Sequence, residues 1–271
     1  MKKETISILG CGWYGVALAE ALLAEGYIVK GSTTNAHKIS QLADLGIVSF
    51  LLNLADKNEQ FNTGFFRCDV LIICIPPRRN NAEAAVDYVS QIRNIGTIAT
   101  TERVKNIILI SSSGVYEDGN FIVNETNNPT PTSETGKSLL AAETFLRNHP
   151  DFVSTIIRFG GLIGPNRNLA RHFAGKTGIA NGLAPINLIH LTDCIGLTST
   201  ILNTKKFGVV YHAVCPDHPT RKDFYTKLCI ESGFEPPEFI NELQNWKQIE
   251  SVNIPAVLSY EWKIRFMQSQ A

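Results

Sequence analysis

This sequence predicts an α/β protein, a doubly wound parallel sheet followed by a small C-terminal α/β lobe. Three observations carry the prediction. A glycine-spaced turn stands between a β-branched run and an apolar helix near the N-terminus. Short apolar runs alternate with helical stretches as far as residue 159. The rhythm then breaks after Gly164-Pro165. Alternation of this kind gives a parallel sheet covered on both faces by right-handed crossovers. The 271 residues suffice for one such domain and an appended lobe.

Ile6-Ser7-Ile8-Leu9 reads as a buried parallel strand. From Trp13 the apolar period lengthens, and Val16, Leu18, Ala19, Leu22 and Leu23 mark a helix ending at Gly26. Tyr27 to Lys30 forms the second strand, followed by a helix from Ala36 to Leu45 and a strand from Ile47 to Leu51. Asp69 to Ile75 is a continuous apolar strand, stopped by Pro76-Pro77, which cannot extend a ladder. A helix over Ala82 to Thr100 leads to the strand Asn106 to Ile110, which empties into Ser111-Ser112-Ser113-Gly114. After a loop rich in Asn, Pro, Thr and Glu come a helix from Glu134 to Asn148 and a strand from Phe152 to Phe159.

Beyond Pro165 lie short pieces to residue 190, a helix from Thr192 to Leu202, and a strand from Val209 to Ala213 that rejoins the sheet. A helix from Arg221 to Ser232, the stop at Pro236-Pro237, and a tail with Trp246 and Trp262 complete the chain. The expected division is therefore a Rossmann domain over 1–165, rejoined by 191–214, and a substrate lobe woven from 166–190 and 215–271. A ligand is expected in the cleft between them.

Gly10, Gly12 and Gly15 have the G-x-G-x-x-G spacing in the strand-turn-helix context that gives the spacing meaning. Gly10 permits the tight turn, Gly12 lets a pyrophosphate approach bare backbone, and Gly15 brings the helix close to the strand. The helix N-terminus adds free N–H groups and a partial positive charge. The expected cofactor contacts are Gly10, Cys11, Gly12, Trp13, Tyr14 and Gly15, with Ile75 and Pro76 at the neighbouring strand end. A ribose-binding carboxylate is expected some twenty residues past the glycines, yet none occurs between Glu25 and Asp44. Ser32, Thr33, His37 and Lys38 stand there instead, which favours NADP over NAD because no acid repels a 2′-phosphate. His37 and Lys38 equally suit the start of a solvated helix.

Lys plus Arg and Asp plus Glu are both 25, giving zero formal charge. That balance removes the electrostatic argument for a nucleic-acid or anionic-membrane partner. Six cysteines show neither C-x-x-C nor a metal-like spacing with His, so no metal is expected and a reduced, cytoplasmic setting fits. No apolar run approaches membrane-spanning length.

Four stations in order resemble the extended short-chain dehydrogenase/reductase superfamily, the NAD(P)-dependent nucleotide-sugar epimerase/dehydratase group. They are the glycine turn, Ser111-Ser112-Ser113-Gly114-Val115-Tyr116, Arg158 to Pro165, and Asn187 to Asp193. The resemblance spans most of the chain. It implies that Ser112 takes the active-site Ser/Thr position and that Lys137, before Leu139-Leu140-Ala141-Ala142-Glu143, takes the Lys position. The family's Tyr four residues earlier is replaced by Ser133. A serine hydroxyl is a far weaker acid than a phenol held near a lysine, so this is an atypical member.

The catalytic candidates are Ser112, Lys137, Ser133 and, as the nearest substitute phenol, Tyr116. Each has a plainer role open to it: Ser133 as an N-cap, Ser112 closing its turn, Lys137 on the surface, Tyr116 in packing. Arg167 and Arg171, in a basic run with His172 and Lys176, suit an anionic substrate or a wet face. Arg78 and Arg79 could reach cofactor phosphates, and His190 and Asp193 suit the lobe junction. The reading is an NAD(P)-dependent oxidoreductase or epimerase-like protein, monomeric or homodimeric, acting on a small anionic or sugar-nucleotide substrate. The alternative is a non-catalytic dinucleotide-binding sensor or scaffold.

Overall fold

The computed structural model describes residues 3–54, 62–77 and 82–266. In chain order they form β1 (Thr5–Leu9), α1 (Trp13–Ala24), β2 (Ile28–Thr33), α2 (Lys38–Asp44), β3 (Val48–Leu51), β4 (Val70–Ile73), α3 (Ala82–Thr101), β5 (Asn106–Ser112) and β6 (Phe121–Val123). There follow α4 (Glu134–Arg147), β7 (Val153–Phe159), β8 (Gly161–Ile163), α5 (Ala170–Phe173), β9 (Leu188–His190), α6 (Leu191–Thr204), β10 (Val210–Ala213), α7 (Arg221–Glu231) and β11 (Lys247–Ile249).

Seven strands make one parallel sheet in the order β10-β7-β5-β4-β1-β2-β3. The order reverses at β1, so the crevice beyond the ends of β1 and β4 is the switch point where open α/β sheets bind ligands. Each strand alternates between two cores. Ile6, Ile8, Ile72, Ile108 and Ile157 face α1, α2 and α6, whereas Leu71, Ile73, Ile107, Leu109 and Ile156 face α3 and α4. The expected doubly wound sheet is thus the observed one.

Several boundaries differ from the sequence expectation. β2 continues past Lys30 to Thr33, because Gly31 belongs to the strand: a Cβ there would meet Cys11 Sγ at 2.6 Å and Ile47 Cγ2 at 2.7 Å. β5 likewise continues through Ser112, and a 3-10 turn over Ser113–Val115 follows. The short strands β6, β8 and β11 were not expected. β6 pairs with β11, and β8 with β9, outside the main sheet. Segment 179–183 is laced to 238–242 by backbone bonds, and Pro185 bridges Thr220. The chain then returns to the main core, where Ile254 and Leu258 join the cluster of α1 and α6.

Candidate functional site

The turn after β1 is built by Gly10 and Ser32. Gly10 has a φ of +99°, and its N–H donates to Ser32 Oγ at 2.9 Å. The Cys11 N–H donates to the Ser32 carbonyl at 2.7 Å. At Gly15 a Cβ would lie 2.4 Å from the Gly10 carbonyl oxygen, so only glycine lets α1 start this close to the turn. Gly12 differs: a Cβ there meets nothing within 4 Å. That open space lies before the first turn of α1, which no side chain caps and which carries no acidic residue. Uncapped N–H groups, the helix dipole and a missing side chain make a cradle for an anion. A dinucleotide pyrophosphate fits this set.

Other candidates divide around the cradle. Ile75 lies against Gly10, its Cγ2 3.0 Å from the Cβ position, and Pro76 is exposed beside it. Cys11 and Tyr14 turn the other way, so their side chains are corrected from cofactor contacts to core. Burial pushes the Cys11 thiol up to about 11. The Tyr14 hydroxyl hydrogen-bonds Thr198 at 2.7 Å, and its ring meets Phe159 edge-on at 5.2 Å. Ser32 is buried and occupied by the turn. Thr33 Oγ1 accepts from the Asn35 N–H, and Asn35 Oδ1 accepts from the His37 N–H. This leaves His37 and Lys38 exposed beyond the end of β2.

Trp13 ties the cradle to the segment that follows β8. Its Nε1–H donates to the Pro165 carbonyl at 2.8 Å, and the exposed Arg167 guanidinium stands 4.9 Å from its ring centre. Arg171 lies 5.9 Å from the Phe234 ring. Both arginines, with His172 and Lys176, are exposed. Arg78 and Arg79 lie outside the described residues.

At the end of β5, Ser112 Oγ accepts from the Gly114 N–H at 3.1 Å. A hydroxyl that accepts one bond keeps its own proton to donate. The preceding Ser111 points inward and donates to Glu143 at 2.5 Å. There begins a buried array that sequence reasoning missed. Glu143 receives Arg158 Nη2 at 2.6 Å, both side chains being almost wholly enclosed. Arg158 Nη1 donates to the Tyr116 hydroxyl at 2.7 Å, and His212 Nε2 is 3.1 Å from the same oxygen. The Glu250 carbonyl can only accept, so His212 Nδ1, 2.9 Å away, carries the proton. Burial holds His212 below the usual histidine range. Burial also raises the Tyr116 phenol, with Arg158 opposing. Tyr116 is therefore corrected from substitute phenol to a locked member of this array. An arginine inside the apolar run of β7 was the available signal, since a buried charge requires a partner.

Ser133 caps α4, accepting from the Gly136 N–H at 3.1 Å. The helix meets the β5 turn at Gly136, where a Cβ would lie 2.8 Å from the Gly114 carbonyl. The sheet-facing stripe is therefore Gly136, Leu139, Glu143 and Leu146, all buried. Lys137, one residue on, is rotated about 100° away. It is exposed, donates to Glu134 at 2.8 Å, and lines an outer groove with Arg93 and Phe145. The Lys137 ammonium is thus paired with Glu134 rather than with Ser112. The four-residue spacing gave one face; it did not say which.

His190 caps α6 through Thr192. Asp193, almost wholly buried, accepts from the Tyr260 hydroxyl at 2.9 Å and from the Lys263 and Ile264 N–H groups at 2.8 and 3.1 Å. Asp217 likewise binds Arg265 and the Phe266 N–H. Two buried carboxylates thus strap the C-terminal segment down. Among the described residues no cluster of metal-ligating side chains is gathered, all six cysteines are free, and no helix is long and apolar enough to cross a membrane.

A family model described as NAD(P)H-binding matches residues 10–182. Protein YeeZ of Escherichia coli K12 is 34% identical over 268 residues, covering 97% of this chain and 96% of its own. UDP-glucuronic acid 4-epimerase from Bacillus cereus, solved in complex with NAD, is similar with a TM-score of 0.82 at 19% identity, covering 97% of this chain and 93% of that one. UDP-glucose 4-epimerase from Thermotoga maritima, solved with UDP-glucose, gives 0.78 at 16% identity, covering 96% and 94%.

Proposed function

The chain belongs to the NAD(P)H-binding family, with the fold of the extended short-chain dehydrogenase/reductases, and from that premise we propose that it is an NADP(H)-dependent oxidoreductase or epimerase-like protein. The observation that carries the reading is the open space at Gly12 before the uncapped start of α1. Gly12 and the first N–H groups of α1 would hold the pyrophosphate, and Ile75 and Pro76 would flank it. Exposed His37 and Lys38, with no carboxylate between Glu25 and Asp44, support a 2′-phosphate and hence NADP over NAD. When bound, the nicotinamide supplies or accepts hydride.

Ser112 then donates a hydrogen bond to the reacting oxygen of the substrate and keeps its proton. With Lys137 and Tyr116 turned elsewhere, the balancing proton comes from water, relayed by the exposed Ser133. The substrate is a small anionic or sugar-nucleotide molecule in the cleft toward the lobe of residues 166–190 and 215–271, its charge met by Arg167 and Arg171. The six free thiols fit a reduced, cytoplasmic setting, and the protein acts as a monomer or homodimer.

A second reading has its own observation. Gly136 and Leu139 occupy the α4 face toward Ser112's turn, and neither is a phenol nor an ammonium. That favours a dinucleotide-binding sensor without chemistry. NADPH consumption in the presence of carbonyl compounds and sugar nucleotides separates the two. The enzyme reading expects turnover with at least one compound and at least a tenfold loss in Ser112→Ala. Tight NADPH binding with no turnover across the panel would favour the sensor.

A further inference from the structure

The side chain of Trp13 leaves the glycine cradle and meets a turn 152 residues further along the chain. Gly164-Pro165-Asn166-Arg167 is closed by the Arg167 N–H, which donates to the Gly164 carbonyl at 3.1 Å. Pro165 stands second in it, and Asn166, third, has a φ of +62°. These are the places that a type II turn gives to proline and to a residue of positive φ. Closure of such a turn leaves the Pro165 carbonyl free to accept from elsewhere, and its donor is the Trp13 Nε1–H at 2.8 Å. Two more contacts seat the same indole. The Arg167 guanidinium is 4.9 Å from the ring centre, and a Cβ on Gly164, whose φ is +148°, would lie 3.2 Å from Trp13 Cζ2. Leu191 Cβ and His190 Nε2 stand 3.0 and 3.5 Å from that same position, so the turn is held between the indole and the start of α6. One residue thus makes both connections. The main chain of Trp13 opens the uncapped α1, where its N–H is among the donors with no helical acceptor, and its side chain holds the turn that presents Arg167.

We propose that Trp13 is a positioning residue that couples the two: a dinucleotide on α1 fixes the turn and Arg167, and the latched turn in return tightens the dinucleotide. The coupling rests on the dinucleotide reading above and adds to it a link from the cofactor to the arginine assigned to the substrate's charge. A phosphate oxygen that accepts the Trp13 N–H arrests the backbone from which the indole projects. The cost of ordering that residue is then shared between two contacts instead of being met twice. Such coupling is reciprocal, each contact strengthening the other by the same factor, and a single neutral hydrogen bond bounds that factor at about tenfold. An indole that served packing alone would hold the turn equally with and without a dinucleotide.

Hydrogen exchange of residues 162–169, read by mass spectrometry on the full chain with and without saturating NADPH, follows the turn. Calorimetry on the same samples gives the Kd. In the wild type NADPH should slow exchange there about three- to tenfold. Trp13→Phe keeps a ring beside Arg167 and loses the Nε1–H, so the slowing should vanish and NADPH should bind about three- to tenfold more weakly. Two variants approach from the turn's side. Asn166→Gly keeps the positive φ and should behave as wild type, whereas Asn166→Val puts a β-branched residue there and should repeat both losses, although it lies off the cradle. Slowing retained in Trp13→Phe and Asn166→Val would overturn the proposal, since the turn would then respond without the latch. So would NADPH that binds the wild type and leaves exchange of the turn unchanged. No heat from NADPH in the wild type would instead bring down the dinucleotide reading itself, and the coupling with it.

Discussion

Replacing Gly12 and Gly15 by alanine separates a glycine kept for the fold from one kept for the ligand. At Gly12 the backbone is extended, with φ −87° and ψ −157°, and a Cβ meets nothing. Gly12→Ala should leave stability unchanged or raise it by about 0.4–1 kcal/mol, through the smaller entropy of the unfolded chain. The methyl group nevertheless fills the space through which a pyrophosphate reaches the α1 N–H groups. Losing one hydrogen bond to a charged group costs about 1.5–3 kcal/mol, which is about a 10- to 150-fold weaker Kd. Gly15→Ala behaves in the opposite sense. Its Cβ would stand 2.4 Å from a backbone oxygen, so α1 must shift, at about 1–3 kcal/mol. That lowers Tm by several degrees, at roughly 2–4 °C per kcal/mol for chains approaching this size. Thermal melts and calorimetric NADPH titrations of both variants provide the readout. A Gly12→Ala protein binding NADPH like wild type would refute the cradle.

Other outcomes follow from the same geometry. Glu143→Leu leaves Arg158 buried and unpaired, so urea unfolding should show a loss of about 3–5 kcal/mol, and adding Arg158→Met should recover a large part of it. Asp193→Ala removes the acceptor for three donors, so limited proteolysis should cut between 259 and 266 in the variant and spare the wild type. Wholly buried His212 has its proton affinity lowered by burial. The unfolded chain therefore takes up this proton near pH 6.5 while the folded chain waits for lower pH. Its contribution is fully present above about pH 6.5 and is lost as pH falls below it, by at most about 1.4 kcal/mol per pH unit. Urea melts from pH 8 to 5 should show that decline, flattened in His212→Gln. Lys137→Met should turn over at the wild-type rate, since its ammonium lies on the outer groove.

The sheet and the glycine turn were legible in the sequence because both are local patterns. Ile6 and Ile8, Ile72, and Ile108 advertise strands by composition, and the three glycines read directly as a turn. What failed to show was set by distant partners. Phe121-Ile122-Val123 is a strand only because Lys247-Gln248-Ile249 lies beside it. Gly31 looked like the end of β2 because nothing nearby says that Cys11 and Ile47 press on it. The site was legible in half. Ser112 and Ser133 stand at their turns as expected, while the directions of Cys11, Tyr14 and Lys137 depend on how each helix is rotated against the sheet. Spacing along one helix carries no such information. The Glu143–Arg158–Tyr116–His212 array joins four elements far apart in sequence, and only the arginine within β7 hinted at it.

Isothermal titration of the purified chain with NADPH, NADP+, NADH and NAD+ tests the central claim most directly. Saturable 1:1 binding is predicted, with the phosphorylated pair at least tenfold tighter than its counterpart. Tenfold tighter NADH would reverse the 2′-phosphate assignment, and no heat from any of the four would contradict a dinucleotide on this turn.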